Sequence, residues 1–190
     1  MFGFGKKKKT YFSSKVLMTR NALDKILLNE LLSRNSIVVT FFASTRNELI
    51  KQLNDSSVEE FIIPADKIIN GSAIPRINSF FIPGGKKIIL AERYPLIVNE
   101  TQLAEKLEEN GVSLPVDAYA AFNDALLLKA GGEKITSLMQ RMGMKEDEVI
   151  AHAMIESSIE KFQSKITSKI NVESHTLSPE EWFRMNLPAG

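Results

Sequence analysis

An α/β sandwich with a mostly parallel sheet is the fold class this sequence predicts, and three observations predict it. Ser36–Ser44 (SIVVTFFAS) is an unbroken apolar, β-branched and aromatic run, as expected of a strand buried on both faces beneath helices. Strand-like runs then alternate with segments of helical periodicity. From residue 146 to residue 190 the pattern is helical only, which adds a C-terminal helical extension to the sandwich.

The elements follow in order. Residues 1–14 read as a basic tail, residues 15–145 as the α/β domain and residues 146–190 as the extension. Asn21–Ser33 places Leu23, Ile26, Leu27 and Leu31 on one helical face. After the Ser36–Ser44 strand, Thr45 and Glu48 form a capping-box pattern that opens a helix to about Leu53. EEFIIPAD supplies a short strand ended by Pro64. Lys67–Asn78 stays ambiguous, broken by Gly71 and Pro75. SFFIPGGKKIILAER reads as two strands, Ser79–Ile82 and Lys86–Glu92, and a tight turn at Pro83-Gly84-Gly85 would make the sheet mixed. Asn99 and Gln102 suggest a second capping pattern, opening a helix that ends at Gly111.

Ala118–Ile170 reads as a buried strand or turn, a brief helix stopped by Gly131-Gly132, a second helix stopped by Gly143, and a long amphipathic helix. The long helix carries Ile155, Ile159, Phe162, Ile166 and Ile170 every three or four residues. Ser178-Pro179-Glu180-Glu181 is a strong helix start, with an N-cap, proline at N1 and glutamate at N3. Trp182, Phe183 and Met185 follow it. This segment and the long helix either pack on their own domain or present apolar surface to a protein partner, with Ile155, Ile159, Phe162, Trp182, Phe183 and Met185 as the contact residues.

Composition excludes several classes of function. The chain has 190 residues, 44% hydrophobic and 25% charged, with a net charge of +1, so no global field draws it to nucleic acid. It has no cysteine, which removes disulfides and thiolate metal sites. No apolar run reaches the ~18 residues that a membrane span needs. Lys6, Lys7, Lys8 and Lys9 are either a solvated terminus or a contact for a membrane surface, and no apolar core follows them as a secretory signal would require.

The motifs of nucleotide chemistry are missing as well. The phosphate-cradling loop ending in Gly-Lys-Ser/Thr is absent; Gly84-Gly85-Lys86-Lys87 resembles only its end. The two histidines, His152 and His175, leave metal sites poor in ligands. His152 reads as a capping or packing residue and His175 as a solvated one. Asp124, Glu146, Asp147 and Glu148 sit where helix starts favour acids. A strand that meets a helix N-terminus at Ser44, Thr45 and Arg46 is the place where a small anion would bind, although capping explains the same residues.

From Gly84 to Ile166 the chain resembles the SecA-type preprotein translocase ATPases, over the end of their second nucleotide-binding domain and the start of their helical scaffold. Gly84-Gly85 and Glu92-Arg93 match a Gly-Gly, strand, Thr-Glu-Arg signature, with Ala91 in place of the threonine. Phe122, Asp124, Leu126 and Gly131, then Glu133, Ile135, Met139, Arg141, Gly143 and Met144, continue the match. Ile150 and His152 fall on an Ile-Glu-His step, with Ala151 in place of the glutamate, and Ile159, Gln163 and Lys165 continue along the scaffold helix. Leu23–Thr45 is similar to the helix and strand that open the same domain.

The resemblance implies a helicase motor-like, P-loop NTPase-like sheet, and it adds Glu92 and Arg93 to Ser44, Thr45 and Arg46 as ligand-binding candidates. It also marks departures. Gln102-Leu103 begin the family's arginine-rich motif, but Ala104, Lys106 and Glu109 occupy its three arginine positions. The phosphate-binding lysine and metal-binding acids of the first motor domain have no counterpart in these residues. The expectation is a non-catalytic SecA-like scaffold or protein-binding module that needs no cofactor or metal. Its place would be the cytoplasm or the inner face of the membrane, and its partner another protein such as a translocase component, not nucleic acid. The rival expectations are a domain that binds a nucleotide or small anion without hydrolysing it, and an enzyme of unfamiliar chemistry.

Overall fold

The computed structural model describes residues 9–53, 55–81 and 86–187. Five strands form one sheet in the order β1-β5-β4-β2-β3, comprising β1 Phe12–Leu17, β2 Ser36–Thr40, β3 Ile62–Pro64, β4 Lys87–Leu90 and β5 Val116–Ala121. Every strand pairing among the described residues is parallel. The turn expected at Pro83-Gly84-Gly85 lies outside the described residues. Ser79–Phe81, expected as a strand, belongs instead to helix α4 (Ile74–Phe81), which Pro75 can enter because its missing N–H falls in the first turn.

Alternation along β2 builds the two outer layers. Val38 faces one side, where α1 (Arg20–Leu32) sends Leu23, Leu27 and Leu31 and α2 (Ala43–Gln52) sends Leu49. Ile37 and Val39 face the other, with Ile68 from α3 (Ala65–Ile69), Ile77 from α4, and Leu103 and Leu107 from α5 (Ile97–Glu109). The three-layer α/β sandwich is therefore as the hydrophobic pattern predicted.

Both expected capping boxes fail. Helix α2 begins at Ala43 with Phe42 as its cap residue, and α5 begins at Ile97 with Leu96; neither has a side-chain cap bond. Thr45 and Asn99 lie inside their helices.

The basic tail ends sooner than expected. Phe12–Ser14 are the first half of β1, an edge strand that the sequence hid behind the lysine run. Its outer side is sealed at Val16, which forms an antiparallel bridge with Ile150. Lys6, Lys7 and Lys8 lie outside the described residues, and Lys9 is paired with Glu108 at the end of α5.

Beyond β5 come α6 (Ala125–Lys129), α7 (Gly132–Arg141), α8 (Ala153–Thr167) and α9 (Pro179–Asn186). The glycine stop between α6 and α7 is required: a Cβ on Gly132 would sit 2.4 Å from the Phe122 carbonyl oxygen. His152 caps α8, its Nδ1 accepting the Met154 N–H at 3.2 Å, and Ser178 caps α9 by accepting the Glu181 N–H at 3.2 Å. Ile159 and Ile166 of α8 join Trp182 and Phe183 of α9 over Val16, Ala120 and Phe122, so the extension shares one apolar cluster with the end of the sheet.

Candidate functional site

The carboxyl ends of parallel strands open onto a crevice, and here it holds two clefts. The first, of about 320 Å³, is walled by Arg20 after β1, Asn123 and Asp124 after β5, Glu92 and Arg93 after β4, and Ser44 and Thr45 at the start of α2. Glu180 and Phe183 of α9 also line it. Four of the five ligand-binding candidates thus come together.

They are occupied with one another, however. The Glu92 carboxylate is buried and accepts the backbone N–H groups of Phe41 (2.8 Å) and Phe42 (2.9 Å) and the Thr45 hydroxyl. It sits where an anion at the α2 N-terminus would sit, and it supplies the cap that no local side chain provides. Two residues on, the Ser44 N–H is taken by the Leu177 carbonyl at 2.9 Å. Arg46 points to the second cleft.

Arg93 is likewise engaged. It grips Glu100 through two bonds of 2.9 and 2.8 Å, meets Glu156 of α8 at 3.1 and 3.2 Å, and donates to Ser14 of β1 at 2.5 Å. Opposed to its burial, these carboxylates hold its charge and raise its pKa. One side chain therefore joins the β4 loop, α5, β1 and α8.

Sequence reasoning missed the residues that set the charge of the first cleft. Arg20 binds Asp24 at 2.8 Å, lies 3.7 Å from Asp124 and donates to the Ala91 carbonyl at 3.0 Å. Burial pushes the carboxyls of Asp24, Glu92 and Asp124 up, and Arg20 opposes that shift in each. With Glu48 and Glu180 also present, acids outnumber bases in the lining, which disfavours a phosphate. The i, i+4 spacing of Arg20 and Asp24 signals that one pair, but only the fold brings Glu92 and Asp124 beside it from other strand ends. Among the described residues no cluster of histidine and carboxylate side chains is arranged to hold a metal.

The second cleft, of about 870 Å³, lies beyond β2 and β3 and is lined by Arg46, Lys67 and Arg76 together with Glu59, Glu60 and Asp66. Among the described residues, the Arg46 Nε is buried there without a hydrogen-bond partner.

Of the two expectations for the long helix and the C-terminal segment, packing on their own domain is the one seen. Trp182 and Phe183 are buried, as is Ile159, while Ile155 and Phe162 are half-buried against the same cluster; only Met185 is exposed. The Trp182 indole N–H donates to Glu173 at 2.6 Å, and the Tyr94 hydroxyl donates to the same carboxylate. Of the positions that resemble the family's arginine motif, Ala104 is buried in the core, and Lys106 and Glu109 pair at 3.2 Å. That pair lies in the last turn of α5, and neither residue lines the two clefts.

Comparison with known proteins finds sequence similarity to protein translocase subunit SecA. Protein translocase subunit SecA of Christiangramia forsetii is 37% identical over 83 residues, 44% of this chain and 7% of that protein. SecA 1 of Alkaliphilus metalliredigens is 30% identical over 99 residues, 52% of this chain and 11% of that protein. SecA of Syntrophobacter fumaroxidans is 35% identical over 86 residues, 45% of this chain and 10% of that protein. About half of the chain is thus similar to SecA-type translocases, and the chain spans about a tenth of the length of these relatives. No family model matches the chain. Among the described residues no helix is long and apolar enough to cross a membrane.

Proposed function

We propose that this chain is a non-catalytic SecA-like domain that serves protein translocation as a scaffold or protein-interaction module. It would work in the cytoplasm or peripherally at the inner face of the membrane, docked on another protein such as a translocase component. The observation that carries this reading is the Glu92 carboxylate seated on the N–H groups of Phe41 and Phe42. A nucleotide phosphate would have to displace that carboxylate and then share a cleft with Asp24, Glu48, Asp124 and Glu180. The absence of arginine from positions 104, 106 and 109 supports the same reading, since an arginine that stabilises phosphoryl transfer is worth about 10³–10⁵ in rate.

Calorimetric titration of the full chain with ATP and ADP in the presence of magnesium tests it. No binding is expected up to millimolar nucleotide, and a sub-millimolar affinity would overturn it.

A small-anion site without hydrolysis is the second reading. The unpartnered Nε of Arg46 favours it, in a cleft that also holds Lys67 and Arg76. Glu59, Glu60 and Asp66 in the same lining leave that cleft without a net positive charge. Titration with inorganic phosphate, compared between the chain and Arg46→Gln, decides this reading.

A further inference from the structure

Strand β1 is an edge of the sheet, and its outer side is only partly closed. The carbonyls of Tyr11 and Leu17 accept the Val116 and Phe122 N–H groups, so the odd-numbered residues of β1 bond to β5. The even-numbered ones turn their main-chain N–H and C=O groups to the other side. Val16 spends both of its groups on Ile150, at 2.9 and 2.8 Å, in one antiparallel rung. The ladder then stops, because the chain turns away through Ala151 and His152 into α8. Ser14 and Phe12 carry the next two rungs, and among the described residues their main-chain groups have no hydrogen-bond partner.

These groups do not lie on open surface. Phe12 and Ser14 are each 5% exposed, and both line a groove of about 450 Å³ with Glu156, Ser157 and Glu160 of α8. The charged residues of its lining are Lys9, Glu156 and Glu160, with His152 beside them. Lys9 is paired with Glu108, and Glu156 is held by Arg93. Charge of both signs is therefore present, and it singles out no side-chain chemistry in a ligand. What the groove offers is main-chain donors and acceptors at the spacing of a strand. Another extended backbone is their complement.

We propose that the groove between β1 and α8 binds an extended segment of another protein, which adds to β1 as a strand and continues the ladder that Ile150 begins, at Ser14 and Phe12. Recognition runs through the main chain, so the site accepts many sequences but not a proline at either rung. This deepens the interaction-module reading and rests on it. A second copy of the chain fits worse, because it would have to present its own β1, whose edge is recessed in the same way.

The test uses the full chain and a displayed library of random linear peptides about twelve residues long. Enriched peptides are expected to be rich in β-branched residues and free of proline in their binding core. One of them is then made with each backbone nitrogen methylated in turn. Methylation at two positions, two residues apart, should weaken binding at least about tenfold, and methylation between them should be tolerated. Ser157→Trp, which fills the groove from an exposed position, should weaken binding as much without moving the urea midpoint, so lost binding cannot be put down to unfolding. No enrichment, methylation effects without the two-residue period, or binding indifferent to Ser157→Trp would overturn the proposal. Binding seen only after residues 1–8 are deleted would overturn it in favour of the chain's own leading residues. Self-association in the ultracentrifuge that Ser157→Trp abolishes would overturn it in favour of a second copy. Nucleotide titration does not touch this groove, so its outcome bears on the non-catalytic reading alone, and a failed peptide selection bears on the groove alone.

Discussion

Arg93 and Arg20 follow the ends of β4 and β1, the two strands that flank β5, yet their surroundings differ. The Arg93 side chain is 1% exposed and is held by Glu100, Glu156 and Ser14, which belong to three other elements. The Arg20 side chain is 24% exposed and meets Asp24 and Asp124 at the wall of an open cleft. Water can replace much of what Arg20 provides, but it cannot reach the carboxylates that Arg93 neutralises. The same residue type therefore acts as a rivet in one place and as a charge balance in the other, and burial decides which.

Stability measurements can break this contrast. The largest effect belongs to Arg93→Met, which strands the Glu100 carboxylate in the core and should cost about 3–5 kcal/mol in urea denaturation. Glu92→Ala comes next, because it uncaps α2 and leaves the Phe41 and Phe42 N–H groups unpaired; the same measurement should show a loss of about 2–3 kcal/mol. Arg20→Met should cost only about 1–2 kcal/mol, mostly its bonds to Asp24 and the Ala91 carbonyl. If Arg20→Met proves as damaging as Arg93→Met, the two arginines are equivalent and the contrast fails.

The smallest effect is one of pH. Burial raises the folded-state pKa of Asp124 above its unfolded value. Its favourable contribution is therefore complete below the unfolded carboxylate range and is lost as pH rises through the folded pKa. Asp124→Asn removes that dependence. The urea midpoint of the wild type, measured against Asp124→Asn, should improve as pH falls from 7 toward 4.5. A constant or reversed difference would mean that the wall of the cleft is as wet as bulk solvent.

Much of the fold was legible because burial on two faces leaves its mark in composition. The run at Ile37, Val38 and Val39 suits a strand buried on both faces, and the stops at Gly131 and Gly143 follow from backbone geometry, both having positive φ. What could not be read depends on distant partners. Strand β1 looks polar because its buried Ser14 serves Arg93, 79 residues away. Thr45 looks like a cap because nothing local reveals Glu92, 47 residues away. Ser79–Phe81 has the aromatic composition of a strand, but the layer it joins calls for a helix. In Trp182 and Phe183 the sequence shows two apolar side chains and cannot say whether protein or solvent will cover them. Arg20 and Asp24 are one helical turn apart on α1, but Asp124 joins them only because β1 and β5 end side by side.

The pairing of β1 with β5 has a consequence for synthesis. Phe12 finds its partner at Val116, and Val16 is sealed only when Ile150 arrives. A chain leaving the ribosome therefore carries its first strand unpaired while roughly a hundred further residues are made. During that interval Phe12 and Val16 lack the partners that later bury them, and Lys15 is the charge within the strand that discourages association with other nascent chains. Closing so long a loop is slow, so β1 should be the last strand to dock.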